Sequence, residues 1–274
     1  MIPFSDATTH YHSKPAVTIT FIVINSVVFA LQILFGGIST IFGDAGIEAF
    51  QIFHKWGFIP SEFSTGQSET YRNVTGYIIS RGQVVPLTTP IDIETPVSDW
   101  ATLLSSMFMH SSGLHFAGNM LYLWVFGDNV EHRLGPVRFA VFYLTCGIVA
   151  TFCHWFFFQS SGVPLIGASG AISGVLGAYF LLYPYNRVKV LFMFVFITVL
   201  ELQAMYVLSF YLLLQFYQLL GSLGVSNQTS VALWAHIGGF TIGVLLIAVY
   251  KKMCREPIWP RKYNLITPRK RGLF

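Results

Sequence analysis

Charge is what this chain has least of. Only 10% of its 274 residues are Asp, Glu, Lys or Arg, against about 25% in an ordinary soluble domain. Such a shortage excludes a soluble globular protein, and the 54% hydrophobic content excludes disorder, which needs low hydrophobicity and high charge. Cysteine is also scarce, with three residues, Cys146, Cys153 and Cys254. The first two lie in one apolar run, on one helix face, and cannot pair with each other there. No disulfide framework and no zinc spacing is visible. The opening residues MIPFSDATTHYHSKP lack the basic stretch directly before an apolar run, and the small-residue cleavage pattern, of a secretory leader. They also lack the arginines of a mitochondrial transit peptide. The first apolar run is therefore expected to be a retained membrane helix.

What the chain does have is long, continuous apolar runs, rich in its 26 phenylalanines. The short alternating segments of an outer-membrane barrel are not there, so helices are expected. The fold class is all-α, a polytopic membrane protein with six spans at about 17–36, 112–128, 137–158, 167–183, 203–221 and 232–250. The second and fourth are short, and short glycine-interrupted spans often line a site. The chain divides into a cytoplasmic segment 1–16, a membrane domain 17–251 with a long external loop 37–111, and a basic tail 252–274.

Orientation follows from the basic residues. Loop 37–111 holds Lys55, Arg72 and Arg81 against seven carboxylates, whereas Arg133, Arg138, Arg187, Lys189 and most of the tail's basic residues fall on the other side. The positive-inside rule puts both termini in the cytoplasm, and the expected location is a bacterial inner membrane. Within the loop, YIISRGQVVPL (77–87) reads as a hairpin, and EAFQIFHKWGF (48–58) reads either as an aromatic-rich interfacial segment or as part of a solvated loop with a few docked aromatics. Residues 190–201 are expected to be a buried or interfacial approach to span five, which begins after Glu201.

Polar side chains inside membrane spans are costly and often functional. His115 and Asn119 lie in span two, Ser169 and Ser173 in span four, and His236 in span six. Individually each has a bland reading, as a hydroxyl bonded to its own helix or as interhelical glue. Together they agree in depth. Spans two, four and six run in one direction, and at 1.5 Å per residue His115, Asn119, Ser169 and His236 all lie within roughly 10 Å of the outer surface. Gly170, Gly174 and Gly177 in span four and Gly239 and Gly243 in span six offer small-residue faces for close helix approach. A serine hydroxyl is a weak nucleophile until a base takes its proton, and His236 is the candidate base. The Ser169 amide at a helix N-terminus, with Asn119 and His115, supplies donors for an oxyanion. No carboxylate lies at this depth, so the arrangement is a Ser–His dyad.

The motifs resemble those of the rhomboid intramembrane serine proteases. Gly167-Ala168-Ser169-Gly170 matches the family's GxSG element, Ala235-His236-Ile237-Gly238-Gly239 its histidine element, and His110 through His115 to Asn119 its HxxxxHxxxN element, in order over about 100–250. The resemblance implies a six-helix bundle with Ser169 as nucleophile and His236 as general base. It implies an oxyanion site from His115, Asn119 and the Ser169 amide, with His110, Gly167, Gly170 and Gly239 in support. Residues 221–230 would form a mobile cap and span five a side gate. Substrates would be single-pass membrane proteins cut near the outer face. No metal, no other cofactor and no nucleic acid is implied. Two departures stand out. Trp100 is followed by Ala101 where the family often has Arg. Ser173 stands where some members have an aromatic that stacks on the histidine, so His236 must be held otherwise, by packing near Phe240 or by the Ser173 hydroxyl. Two other readings are a catalytically silent relative that binds membrane clients and a channel or transporter. The second is opposed by the lack of any charge deep within a span.

Overall fold

The computed structural model describes residues 2–6, 14–43, 46–68, 70–80, 83–93, 96–193, 197–222 and 233–260. Each of the six drawn spans falls on a helix. In chain order the elements are strand β1 (Ile2–Asp6), helix α1 (Ala16–Gly36), α2 (Ile47–Trp56), α3 (Pro60–Thr65), strands β2 (Thr70–Ser80) and β3 (Gln83–Asp92), α4 (Asp99–Ser105), α5 (Gly113–Leu134), α6 (Pro136–Phe157), α7 (Ser169–Leu182), strands β4 (Arg187–Met193) and β5 (Ile197–Gln203), α8 (Ala204–Ser222) and α9 (Leu233–Met253). Among the described residues α1, α6 and α9 are long and apolar enough to cross a membrane, and α7 is a shorter apolar helix.

Local chemistry explains the helix ends. α1 follows Pro15, which has no side-chain cap to offer. Its free amides are met instead by a carboxylate from α5: the Val17 and Thr18 N–H groups donate to Glu131 at 2.9 and 2.7 Å. A buried carboxylate at a helix N-terminus gains from both the hydrogen bonds and the helix dipole. α5 stops at Gly135, whose φ is +82, and Pro136 opens α6 at once, with glycine ending one helix and proline starting the next.

α7 is the centre of the bundle. Every residue of it except Ser169 and Phe180 is buried. Such depth is possible because α7 and α9 meet backbone to backbone. A Cβ on Gly239 would run into the Gly170 carbonyl oxygen, one on Gly243 into the Gly174 oxygen, and one on Gly177 into the Phe240 oxygen. On the other side of α7, a Cβ on Gly170 would stand 2.8 Å from the Ala150 methyl of α6. These contacts are the small-residue packing that drives helix association where the hydrophobic effect is absent.

The two ends of the bundle differ. At one end β1 pairs antiparallel with β4 and β4 with β5. Asp6 of β1 accepts from Asn129 Nδ2 at 2.9 Å and from the Tyr179 hydroxyl. Arg133 pairs with Glu256 there, and Lys251 Nζ donates to the Leu181 carbonyl at 3.3 Å. At the other end the described parts of the long loop pack near the N-termini of α5 and α7, tied down by the Phe58–Leu165 bridge and closed on themselves by Ser105 Oγ donating to the Trp56 carbonyl at 2.7 Å.

Two loop expectations can be compared. The hairpin at 77–87 is present and longer than drawn, with Thr70 opposite Asp92 and Ser80 opposite Gln83. Residues 190–193 and 197–201 lie in the strand pair β4–β5, and β5 leads directly into α8. Their pattern accounts for it: Val188 and Val190 are buried while Arg187 is exposed, the period of two that a half-buried strand requires. The proposed cap at 221–230 lies outside the described residues except Gly221 and Ser222 at the end of α8.

Candidate active site

α5, α7 and α9 bring their N-terminal turns together. Ser169 is the first residue of α7, His236 the fourth of α9, and His115 and Asn119 lie in the first two turns of α5. Ser169 Oγ stands 2.8 Å from His236 Nε2. The two are 67 positions apart in sequence, and the glycine contacts described above allow their helices to approach so closely.

The GxSG loop is shaped by its first glycine. Gly167 has φ +128, which disfavours any side chain, and a Cβ there would stand 2.9 Å from His115 Cε1. Its N–H donates to the Ser106 carbonyl at 2.8 Å, fixing the entry to α7. His115 is held from behind. Its own N–H donates to the Ser112 hydroxyl at 3.2 Å. The Ser111 N–H donates to His115 Nδ1 at 3.5 Å, with the Ser111 hydroxyl 3.1 Å from the same atom. With Nδ1 accepting, the ring proton is on Nε2, the nitrogen that lies against Gly167. Asn119 is 7% exposed, and its Nδ2 has no hydrogen-bond partner among the described residues. Both side chains therefore present donors.

Ser169, His236, His115, Asn119, Tyr122 and Tyr211 share the wall of a cavity of about 300 Å³, whose other lining side chains are mainly aliphatic. His110 is fully buried. Its ring packs edge-on against His115, with centroids 5.2 Å apart, and against Phe116 at 5.4 Å. Gln32 of α1 clamps the His110 backbone, accepting from its N–H at 3.0 Å and donating to its carbonyl at 3.1 Å. Ser169, His236, His115, Asn119 and His110 thus gather at one end of the bundle.

One expectation needs correcting. The Ser173 hydroxyl does not hold His236; it pairs with the Tyr211 hydroxyl of α8 at 2.8 Å. Instead His236 Nδ1 meets Gln215 Oε1 of α8 at 3.0 Å. Gln32, Tyr211 and Gln215 were all missed in the sequence. The signal was available for the two glutamines, since each is a polar side chain within an apolar run.

A model of the rhomboid domain matches residues 97–253, more than half of the chain. This chain belongs to the rhomboid family. Among individual relatives, a segment is 37% identical over 93 residues to the bovine mitochondrial presenilin-associated rhomboid-like protein, covering 33% of this chain and 25% of that one. Another is 39% identical over 89 residues to the rhomboid protease GluP of Bacillus subtilis, covering 32% of this chain and 17% of GluP. A third is 31% identical over 102 residues to the mitochondrial rhomboid protein 1 of Saccharomyces cerevisiae, covering 36% and 29%. The matches span well under half of each relative's length. This rhomboid is a membrane protein with a mostly helical body, and its relatives come from both mitochondria and bacteria.

Proposed function

We propose that this rhomboid is an intramembrane serine endopeptidase that cuts transmembrane segments of single-pass membrane proteins near the outer face. The observation that carries the reading is the 2.8 Å contact between Ser169 Oγ and His236 Nε2, made on the wall of a cavity that Asn119 and His115 also line. The motif matches and the kinship with a named rhomboid protease support it.

The chemistry balances with these residues alone. His236 Nε2 takes the hydroxyl proton as Ser169 Oγ attacks the scissile carbonyl carbon. The carbonyl π electrons move to oxygen, which is met by the Ser169 amide, the Asn119 amide group and His115 Nε2–H. Collapse of this intermediate breaks the C–N bond, and the imidazolium returns its proton to the leaving amine. Water then attacks the ester carbonyl carbon, giving its proton to His236; collapse breaks the acyl C–Oγ bond, the imidazolium returns the proton to Ser169 Oγ, and the acid product leaves. No metal or cofactor enters a step. Both termini are assigned to the cytoplasmic side, the end of the bundle where β1, Arg133 and Lys251 lie, and an inner membrane of a bacterium or an organelle of bacterial descent is the proposed location.

A serine-directed phosphonate probe tests the reading in the full chain. Labelling that disappears in Ser169→Ala, with cleavage of a single-span substrate, is the expected result. Client binding with neither labelling nor cleavage would establish the silent-relative reading instead.

A further inference from the structure

The Ser–His pair is usually completed by a group that fixes the imidazole's tautomer and orientation, and among the described residues no carboxylate bonds His236. Gln215 does. Its Oε1 lies 3.0 Å from His236 Nδ1, and Ser169 Oγ lies 2.8 Å from Nε2, so the imidazole is gripped at both nitrogens. We propose that Gln215 is the positioning residue of this active site, a neutral third member that holds His236 as a base. The inference rests on the protease reading above.

Tautomer chemistry carries the argument. Neutral imidazole has one N–H and one lone pair, and which nitrogen carries the proton is set by the bond the other makes. An amide oxygen only accepts, so Nδ1 must donate to Gln215 Oε1. The lone pair is then on Nε2, facing the Ser169 hydroxyl, as proton transfer requires. The reverse amide orientation would make Nδ1 the acceptor and put the proton on Nε2, leaving the Ser169 proton nowhere to go. The oxygen has a second use: when Nε2 takes the serine proton, Nδ1–H becomes a more acidic donor and the bond to Oε1 tightens, favouring the charged state.

Helix α8 is itself anchored for this task. Tyr211 and Gln215 are four residues apart and share a face. Tyr211 binds Ser173 of α7 at 2.8 Å while Gln215 binds His236 of α9. Ser173 occupies the position four after the nucleophile, so the hydroxyl that could not reach His236 instead fixes the helix that does. The opposite face of α8 exposes Leu213, Phe216 and Tyr217, as expected of a helix with its apolar side to lipid.

The test uses the full chain in detergent and one single-span substrate, comparing wild type, Ser169→Ala, Gln215→Met, Gln215→Leu and Gln215→Glu. Met matches the length of Gln without its acceptor, and Glu keeps an acceptor. Removing a bond that steadies a charged imidazole should lower kcat roughly 10- to 100-fold in Met and Leu, with KM and Tm near wild type. Glu should recover most of the loss. A Met variant with wild-type kcat overturns the proposal. So does a change confined to KM, which would make Gln215 a substrate contact, or a kcat loss that only follows a fall in Tm. If Glu fails to fold, the Met and Leu values of kcat against KM decide alone. Wild type that neither cleaves nor takes a phosphonate probe overturns the protease reading and the positioning role together; a fully active Gln215→Met beside an inactive Ser169→Ala overturns the positioning role only.

Discussion

Gly167 faces the His115 imidazole so closely that a methyl group on it would stand 2.9 Å from Cε1. The residue also has φ +128, so an alanine here meets backbone strain and a clash at once. Gly167→Ala should destabilise the loop by about 1–3 kcal/mol and push His115 off its bond with Ser111. The expected result is a lower Tm and turnover reduced at least roughly tenfold, since a small misplacement of site groups is expensive in rate. Wild-type turnover by this variant would mean that the loop relaxes freely and that its close fit is unimportant.

The Glu131 carboxylate, 3% exposed, binds two amides of α1 far from the site. Glu131→Ala should destabilise the protein by about 3 kcal/mol, the scale of losing hydrogen bonds to a buried charge. Glu131→Gln, which keeps one acceptor, should lose less. Equilibrium unfolding in mixed micelles would rank the two; equal stability of Ala and wild type would contradict the capping role. The active variants should retain kcat, because neither amide touches the site.

Much of the site was legible because its parts are short motifs of unusual chemistry. A serine between glycines at 167–170 and a histidine before a glycine pair at 236–239 have few other reasons to sit in apolar helices. The close approach of α7 and α9 was legible for a similar reason: Gly239 and Gly243 recur at the spacing of one helix face. What was not legible was rotation. Span five could be drawn, but not which of its faces turned inward, so Gln215 went unnoticed and Ser173 was offered the wrong partner. The strands β4 and β5 were missed because Val, Leu, Phe and Ile run almost without a break from 188 to 200. Hydropathy alone reads such a run as membrane, and the pairing of β1 with β4 brings together residues at the two ends of a span of sequence too long for local pattern to reveal.

Asn119 presents an amide nitrogen with no partner among the described residues. Asn119→Ala should remove one oxyanion donor, about 3 kcal/mol or roughly 10²-fold in kcat, while His115 and the Ser169 amide still act. Steady-state kinetics with a detergent-solubilised substrate would check this. An Asn119→Ala enzyme as fast as wild type would take Asn119 out of the oxyanion site.

The proposed topology rests on how the described elements sort between the two ends of the bundle. The β1–β4–β5 sheet and the Arg133–Glu256 pair share one end of the bundle, and the long loop covers the other. Reporter fusions after residue 90 and after residue 274 should fall on opposite sides of the membrane. Reports from one compartment would break the even count of crossings.

The central claim is that Ser169 and His236 act as one chemical unit. Turnover of a single-span substrate by wild type, Ser169→Ala, His236→Ala and the double variant, each checked for folding by thermal melting, tests it most directly. Nucleophile and base are not additive in their loss, so each single variant should lose essentially all cleavage and the double should match either one. Substantial cleavage by a well-folded His236→Ala protein would contradict the account.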